Sequence, residues 1–308
     1  MLDFSGPLFL SVLFIVGSYV LSGLPAFLWG LIISNEWARS ALVYPLMTSA
    51  EALILYILFY FVDMFASKKR LVGPIKSELS LNTYLEATKL AAKNMLYMMF
   101  FLVAITYSLS GDIHGGYSIQ GITPCRFPEL APNFNRLILE MFVIIFCTDF
   151  FMYWLHRAHH IRPLYRLFHS IHHQYPNPVA AHATSVHIVE LLSVAPFIFI
   201  VPRLLYEIFG LHPLSVYLSS HLFSLHGVLE HCGYDDYLEY FTFGVMSASK
   251  MHFVHHQIPR ANYGFYTYFW DWVFGTKLSY DNMTLTLNLR AKLQEENLRS
   301  SLQENVVQ

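Results

Sequence analysis

Long apolar runs separated by short polar intervals dominate the first two thirds of the chain. A membrane-spanning helix needs about 20 mostly apolar residues. Four stretches qualify: roughly Pro7–Ile33, Ala41–Val62, Met95–Leu109 with its flanks, and Leu137–Leu155. A further apolar region, Val189–Phe209, contains Pro196 and Pro202 and is followed by Leu214–Leu229. That pair fits either a hairpin that enters the bilayer and returns, or two more spans. The first run follows the acidic Asp3 and has no basic residue ahead of it, so it is expected to be a retained membrane segment rather than a cleaved signal. The pattern divides the chain into an N-terminal transmembrane region over 1–135, a second region over 136–281 and a polar tail over 282–308. In the tail, Leu285, Leu289 and Leu293 recur at helical spacing.

Basic residues orient these spans. Lys68, Lys69, Arg70, Lys76, Lys89 and Lys93 lie between the second and third stretches, against only Arg126 and Arg136 between the third and fourth. Cytoplasmic loops carry the excess of Lys and Arg. The fourth span then returns to the cytoplasm at Leu155, and the later apolar pair ends on the same side. On this topology the sequon Asn282-Met283-Thr284 is cytoplasmic and silent.

Composition supports the membrane reading. Apolar residues make up 55% of the 308 and charged residues only 13%, against about 25% charged in average soluble domains. A net charge of −2 gives no bulk attraction to nucleic acid. The three cysteines, Cys125, Cys147 and Cys232, form no CxxC pair, which removes a disulfide framework and a thiolate zinc site.

Histidine is the outlying residue. There are 16, and all but His114 fall between His156 and His256. Three clusters stand out: His156-Arg-Ala-His159-His160, His169-Ser-Ile-His172-His173 and His252-Phe-Val-His255-His256. Residues at i, i+3 and i+4 share a helix face, so each cluster is expected to present two or three imidazoles in one direction. Imidazole suits zinc, copper, iron and nickel. Eight or nine converging rings exceed the need of one tetrahedral ion, which points to two. The predicted architecture is therefore all-α: an integral membrane helical bundle with a cytoplasmic histidine-rich metal site.

The order of these clusters resembles the fatty acid hydroxylase/sterol desaturase superfamily, which includes sterol C5 desaturases, C4-methylsterol oxidases and cholesterol 25-hydroxylase. Further motifs are similar: Asp149 ahead of the first cluster, Pro163-Leu164-Tyr165-Arg166 before the second, His231-Cys232-Gly233-Tyr234, Asn262-Tyr263-Gly264, and Trp270-Asp271-Trp272-Val273-Phe274-Gly275-Thr276. The resemblance covers about Asp149–Thr276. It implies a non-haem di-iron centre with O2 as co-substrate, an endoplasmic reticulum membrane setting, and electrons from a separate cytochrome b5-type donor and its reductase. Carried over by position, the metal ligands are His156, His160, His169, His172, His173, His231, His252, His255 and His256. His187, followed by Glu190, is similar to an H-P-x-E element with Ile188 in place of proline, and is a weaker candidate. His114, His182, His212, His221 and His226 are left to structural roles. Asp235-Asp236-Tyr237 replaces the proline that often follows the H-C-G-Y element, which leaves the substrate subclass open.

Amino-acid acid–base chemistry does not attack unactivated C–H bonds, whereas a metal cofactor can. The implied activity is hydroxylation or desaturation of a lipid, most readily a sterol, with fatty acyl or alkyl-glycerol lipids as the alternative. Asp149, Glu190, Glu230 and Asp271 are candidates to orient the metal-binding rings from behind. A membrane zinc-binding or metal-transport protein is the competing class, but transporters place their ligands near the bilayer midplane, and here the clusters follow the spans. A haem bundle needs only one or two facing histidine pairs.

Overall fold

In a computed structural model, residues 43–66, 80–110, 131–234, 242, 245–246, 249–285 and 287 are described. The expected segment Pro7–Ile33, the basic residues 68–70 and 76, His114, Arg126, residues 235–237 and most of the polar tail lie outside them.

The described residues are helical, without strands; Met246 and Thr267 form an isolated bridge. The order is α1 Val43–Ala66, α2 Leu81–Ser110, α3 Phe134–His159, α4 Arg162–Leu167, two 3₁₀ turns at His169–Gln174 and Ala180–Thr184, α5 Ile188–Phe209, α6 Pro213–Cys232, α7 Ser249–Gln257 and α8 Phe269–Val273. Each apolar stretch that falls within the described residues is thus a helix. Lys89 and Lys93, expected in a loop, lie on α2, because the helical pattern starts at Leu81, well before the strongly apolar stretch. Among the described residues α3 is the helix long and apolar enough to cross a membrane.

Helix boundaries follow from local chemistry. Asn133 caps α3 by accepting from Arg136 N. Gly210 ends α5 in the left-handed region, with φ of 64°, where a side chain would be strained. His212 then caps α6 through Nδ1, which accepts from Leu214 N, and Pro213 takes the first helical position. Three residues therefore suffice to turn α5 into α6. Buried Glu140 on α3 fastens this hairpin, accepting from His212 N at 2.8 Å, Ser215 Oγ at 2.5 Å and Arg136 Nε at 2.6 Å.

The first two helices dock onto the histidine-bearing half through polar contacts in an apolar core. Ala52, Tyr56, Ala87 and Ala91 pack with Val179, Ala180, Ala181 and Val228. Asp63 accepts from the hydroxyls of Tyr84 and Tyr234. Asn94 Nδ2 donates to Thr184 O and Val186 O, at 3.0 and 2.7 Å. A buried polar group without a partner is costly, so these pairs fix how α1 and α2 sit on the second 3₁₀ turn. The opposite face of α1 is apolar and exposed through Ile54, Ile57, Leu58, Phe61 and Phe65.

Candidate metal centre

Three helix ends meet at one end of the bundle. The last turns of α3 and α6 carry His156 and His231, and the first turn of α5 carries Glu190. His160 caps α3, the first 3₁₀ turn supplies His169, His172 and His173, and α7 supplies His252, His255 and His256. A helix C-terminus carries partial negative charge, so α3 and α6 both turn a favourable dipole end toward a cation here.

The nine histidines selected from the sequence all fall in two groups whose ligand atoms lie within 4.8 Å of one another. One group is His156, His160, His169, His173 and His255; the other is His172, His231, His252 and His256. As expected, each cluster sends two rings in one direction; in the second and third clusters the remaining ring joins the other group. His169 and His173 serve the first group while His172 serves the second. On α7, His252 and His256 are one turn apart and share a face, and His255 lies off that face. Splitting two clusters in this way places the two groups side by side.

Hydrogen bonds at Nδ1 orient several rings. His156 Nδ1 meets Tyr263 O at 3.1 Å, His231 Nδ1 meets Gly227 O at 2.8 Å, and His255 Nδ1 meets Ala261 O at 2.7 Å. A carbonyl only accepts, so each of these rings holds its proton on Nδ1 and has a bare lone pair at Nε2. The Nε2 atoms then converge. His255 lies 3.1 Å from His160 and 3.0 Å from His173, and His169 lies 2.9 Å from His160. His252 lies 3.0 Å from both His231 and His256 and 3.4 Å from His172.

Burial, followed by the repulsion of neighbouring imidazolium charges, holds the protonation of His160, His169, His172, His252 and His256 far below the ordinary histidine range. The same causes push His173 down to about 3. His255 is also held low, chiefly by burial. The rings are therefore neutral near pH 7 and bring lone pairs, not charge, to the two centres. Imidazole nitrogens lie roughly 2.0–2.1 Å from a bound zinc-sized ion, so rings sharing one ion stand about 3 Å apart, as they do here. Without a cation these lone pairs would be packed together with little to satisfy them. The donor set fits two divalent ions of the imidazole-preferring kind.

The carboxylates divide differently from the expectation. Asp149, fully buried, accepts from Phe265 N at 3.1 Å, Tyr266 N at 2.7 Å and Thr267 Oγ1 at 2.6 Å. Asp271 accepts from Tyr263 N, Gly264 N and Thr276 Oγ1, at 2.8, 2.8 and 2.7 Å. Neither orients a histidine: three donors from one loop occupy each of them. They shape the loop 261–276, which in turn presents Tyr263 O to His156 and Ala261 O to His255. The remaining two stand against the rings. Glu190 Oε1 approaches His169 Nδ1 to 2.9 Å, out of line for a hydrogen bond, and Glu230 Oε1 lies 4.0 Å from His252 Nδ1.

The histidines given structural roles that fall within the described residues lie outside both groups. His226 Nε2 meets Phe265 O at 2.8 Å, His182 stacks on Tyr175, and His221 pairs with Glu51 at 2.8 Å. His187 caps α5 by accepting from Val189 N at 3.2 Å. His159 meets Ser193 Oγ at 3.1 Å and joins His169 and Glu190 in a smaller group. Sequence spacing alone does not separate His159 from His160; the helix ending there turns the two rings to different neighbours.

The sequence model of the fatty acid hydroxylase family matches residues 141–276. A cholesterol 25-hydroxylase-like protein of Danio rerio is 34% identical over 159 residues, covering 50% of this chain and 61% of that protein. A very-long-chain aldehyde decarbonylase of Oryza sativa subsp. indica is 29% identical, covering 49% and 57%, and a methylsterol monooxygenase of Arabidopsis thaliana is 28% identical, covering 48% and 56%. The matched region thus spans about half to three-fifths of these relatives. No solved structure matches.

Proposed function

We propose that this chain, whose residues 141–276 match the model of the fatty acid hydroxylase family, is a membrane-bound non-haem di-iron oxygenase acting on a lipid, with a sterol as the first choice of substrate. The observation that carries the reading is the pair of histidine groups, five rings and four, gathered from the ends of α3 and α6, the first 3₁₀ turn and α7. Iron bound there would supply the activation of O2 needed to oxidise an unactivated carbon.

The chain's own groups prepare that chemistry. His156, His160, His169, His173 and His255 would hold one ion, and His172, His231, His252 and His256 the other. Carbonyls of Tyr263, Gly227 and Ala261 keep the Nδ1 protons of His156, His231 and His255 in place, which leaves their Nε2 atoms as ligands without a proton to displace. Burial excludes bulk water, and this protects a reactive centre from side reactions. Electrons would come from an external donor of the cytochrome b5 type.

A membrane setting is supported by the exposed apolar faces. Ile54, Ile57, Phe61 and Phe65 on α1, and Ile138, Leu139 and Phe142 on α3, point away from the core. Soluble proteins rarely expose contiguous apolar surface of this kind. The basic residues between the early spans favour the cytoplasmic side for the histidines, and the endoplasmic reticulum is the membrane proposed. The relatives' names include a sterol hydroxylase-like protein and a methylsterol monooxygenase, which supports a sterol. The decarbonylase among them acts, by its name, on very-long-chain aldehydes, which keeps fatty acyl and alkyl-glycerol lipids as the second reading. Metal transport is disfavoured because the rings sit at helix ends.

The test is metal content of the purified chain beside a His172→Ala/His255→Ala variant, which removes one ring from each group. About two irons per chain in the parent, lost in the variant, with O2-dependent oxidation of a sterol by the parent and a reductase system, is the expected result. A parent that binds no metal even after iron reconstitution would overturn the reading.

A further inference from the structure

The buried carboxylates of the histidine-bearing half can be sorted by what their oxygens accept. Glu140, Asp149 and Asp271 each take three donors from helix ends or loops, none of them a histidine ring. Glu190 and Glu230 differ. Both are buried, and each keeps one oxygen, Oε2 of Glu190 and Oε1 of Glu230, without a hydrogen-bond partner. A buried acid left this way is costly, so its retention needs a cause.

Their positions supply one. Glu190 stands behind the five-histidine group, 2.9 Å from His169 Nδ1. Glu230 stands behind the four-histidine group, 4.0 Å from His252 Nδ1. Neither Glu190 nor Glu230 belongs to the five- or the four-ring group itself. His169 Nδ1 lacks an aligned acceptor, and Glu190 Oε1 is the carboxylate oxygen within reach of it. His252 is the ring whose Nε2 contacts all three other members of its group. His226, the other histidine beside Glu230, already has Phe265 O at 2.8 Å and so competes weakly.

We propose that Glu190 and Glu230 are paired positioning residues, one for each metal ion: Glu190 accepts a hydrogen bond from Nδ1–H of His169, and Glu230 from Nδ1–H of His252. Each thereby aims a bare Nε2 into its group and places one negative charge behind one ion. The proposal rests on the two-metal reading above, and it makes the two sites separately adjustable. A carboxylate behind a metal-bound imidazole fixes its tautomer and raises its basicity, and losing such a partner typically lowers metal affinity about 10–100-fold.

The experiment is a titration of the metal-stripped full chain in detergent with Co(II), read by its visible absorption and by bound metal per chain. The parent should take up two ions. Glu190→Gln and Glu230→Gln should each weaken one of the two sites about 10–100-fold and spare the other, and the double variant should weaken both. Equal affinity at both sites in either single variant, or parallel loss of both sites, would overturn the proposal while leaving the two-metal reading intact. A parent that binds no metal would overturn the reading, and the proposal with it. Thermal melting checks the fold, because a packing role alone would lower stability without selecting one site. Where a Gln variant melts early, Glu→Asp at that position gives the answer: its charge should restore the lost site in part, and a loss equal to that of Gln would count against the proposal.

Discussion

Gly264 donates its backbone N–H to Asp271 Oδ2 at 2.8 Å, and a Cβ on Gly264 would lie 2.7 Å from that same oxygen and 2.3 Å from Thr267 O. The N-Y-G and W-D motifs are thus two halves of one tight loop, and the glycine is required by space. Asn262 beside it adopts a positive φ of 56°, with Nδ2 donating to Met251 O and Leu278 O and Oδ1 accepting from Leu278 N. This loop carries the carbonyls that orient His156 and His255, so its shape reaches the rings directly.

Gly264→Ala is therefore expected to destabilise the chain by about 2 kcal/mol or more, because the crowding atoms are a backbone carbonyl and a carboxylate that already holds three donors. It should also weaken binding at the five-histidine group. Thermal melting and metal titration check the two effects. A variant with parental stability would contradict the close approach.

Asp149→Ala leaves the donors of Phe265, Tyr266 and Thr267 without their acceptor and should cost about 3 kcal/mol or more. Asp149→Asn retains one oxygen for the two amides and should cost less than half as much. An Asn variant as damaging as Ala would contradict the acceptor role described for Asp149. Comparing the two variants by melting and by metal content separates the roles.

His159→Ala and His160→Ala form a matched pair. His160 Nε2 faces His169 and His255, whereas His159 faces Ser193. Removing His160 should abolish tight binding at one site, and removing His159 should leave two ions bound. Equal losses from the two would mean that the rings are not divided as described.

Acid should release the metals and loosen this end of the bundle. His160, His169, His172, His173, His252, His255 and His256 all take up protons less readily when folded than a free histidine does. Above the free-histidine range of about 6.5, folded and unfolded rings are both neutral, and these groups add no pH dependence. As pH falls below it, the unfolded chain binds protons that the folded chain refuses, so stability declines. The decline continues down to the folded values, which for His173 lies at about 3. The metal-free chain should melt at progressively lower temperature from about pH 6.5 downward. A flat profile between pH 7 and 5 would show that the rings are not buried as a neutral cluster.

Much of this was legible in the chain itself. The apolar runs predicted α1, α2, α3, α5 and α6, because helix length and apolar content are local properties. The spacing of the histidines, together with the flanking motifs, selected the nine rings that the fold gathers. What spacing could not decide was which ring joins which group. His172 and His173 are neighbours in sequence, with ring centroids 5.7 Å apart, yet they join different groups. Nor could it assign the acids. Asp149 and Glu190 look alike as carboxylates near a cluster; only the folded loop fills Asp149 with backbone donors and leaves Glu190 facing a ring. Local periodicity determined the long helices, and the resemblance carried by the motifs selected the donor set. The division into two centres and the roles of the acids were decided by long-range packing, which brings together groups that the sequence holds about 100 residues apart, such as His156 and Tyr263 at a separation of 107.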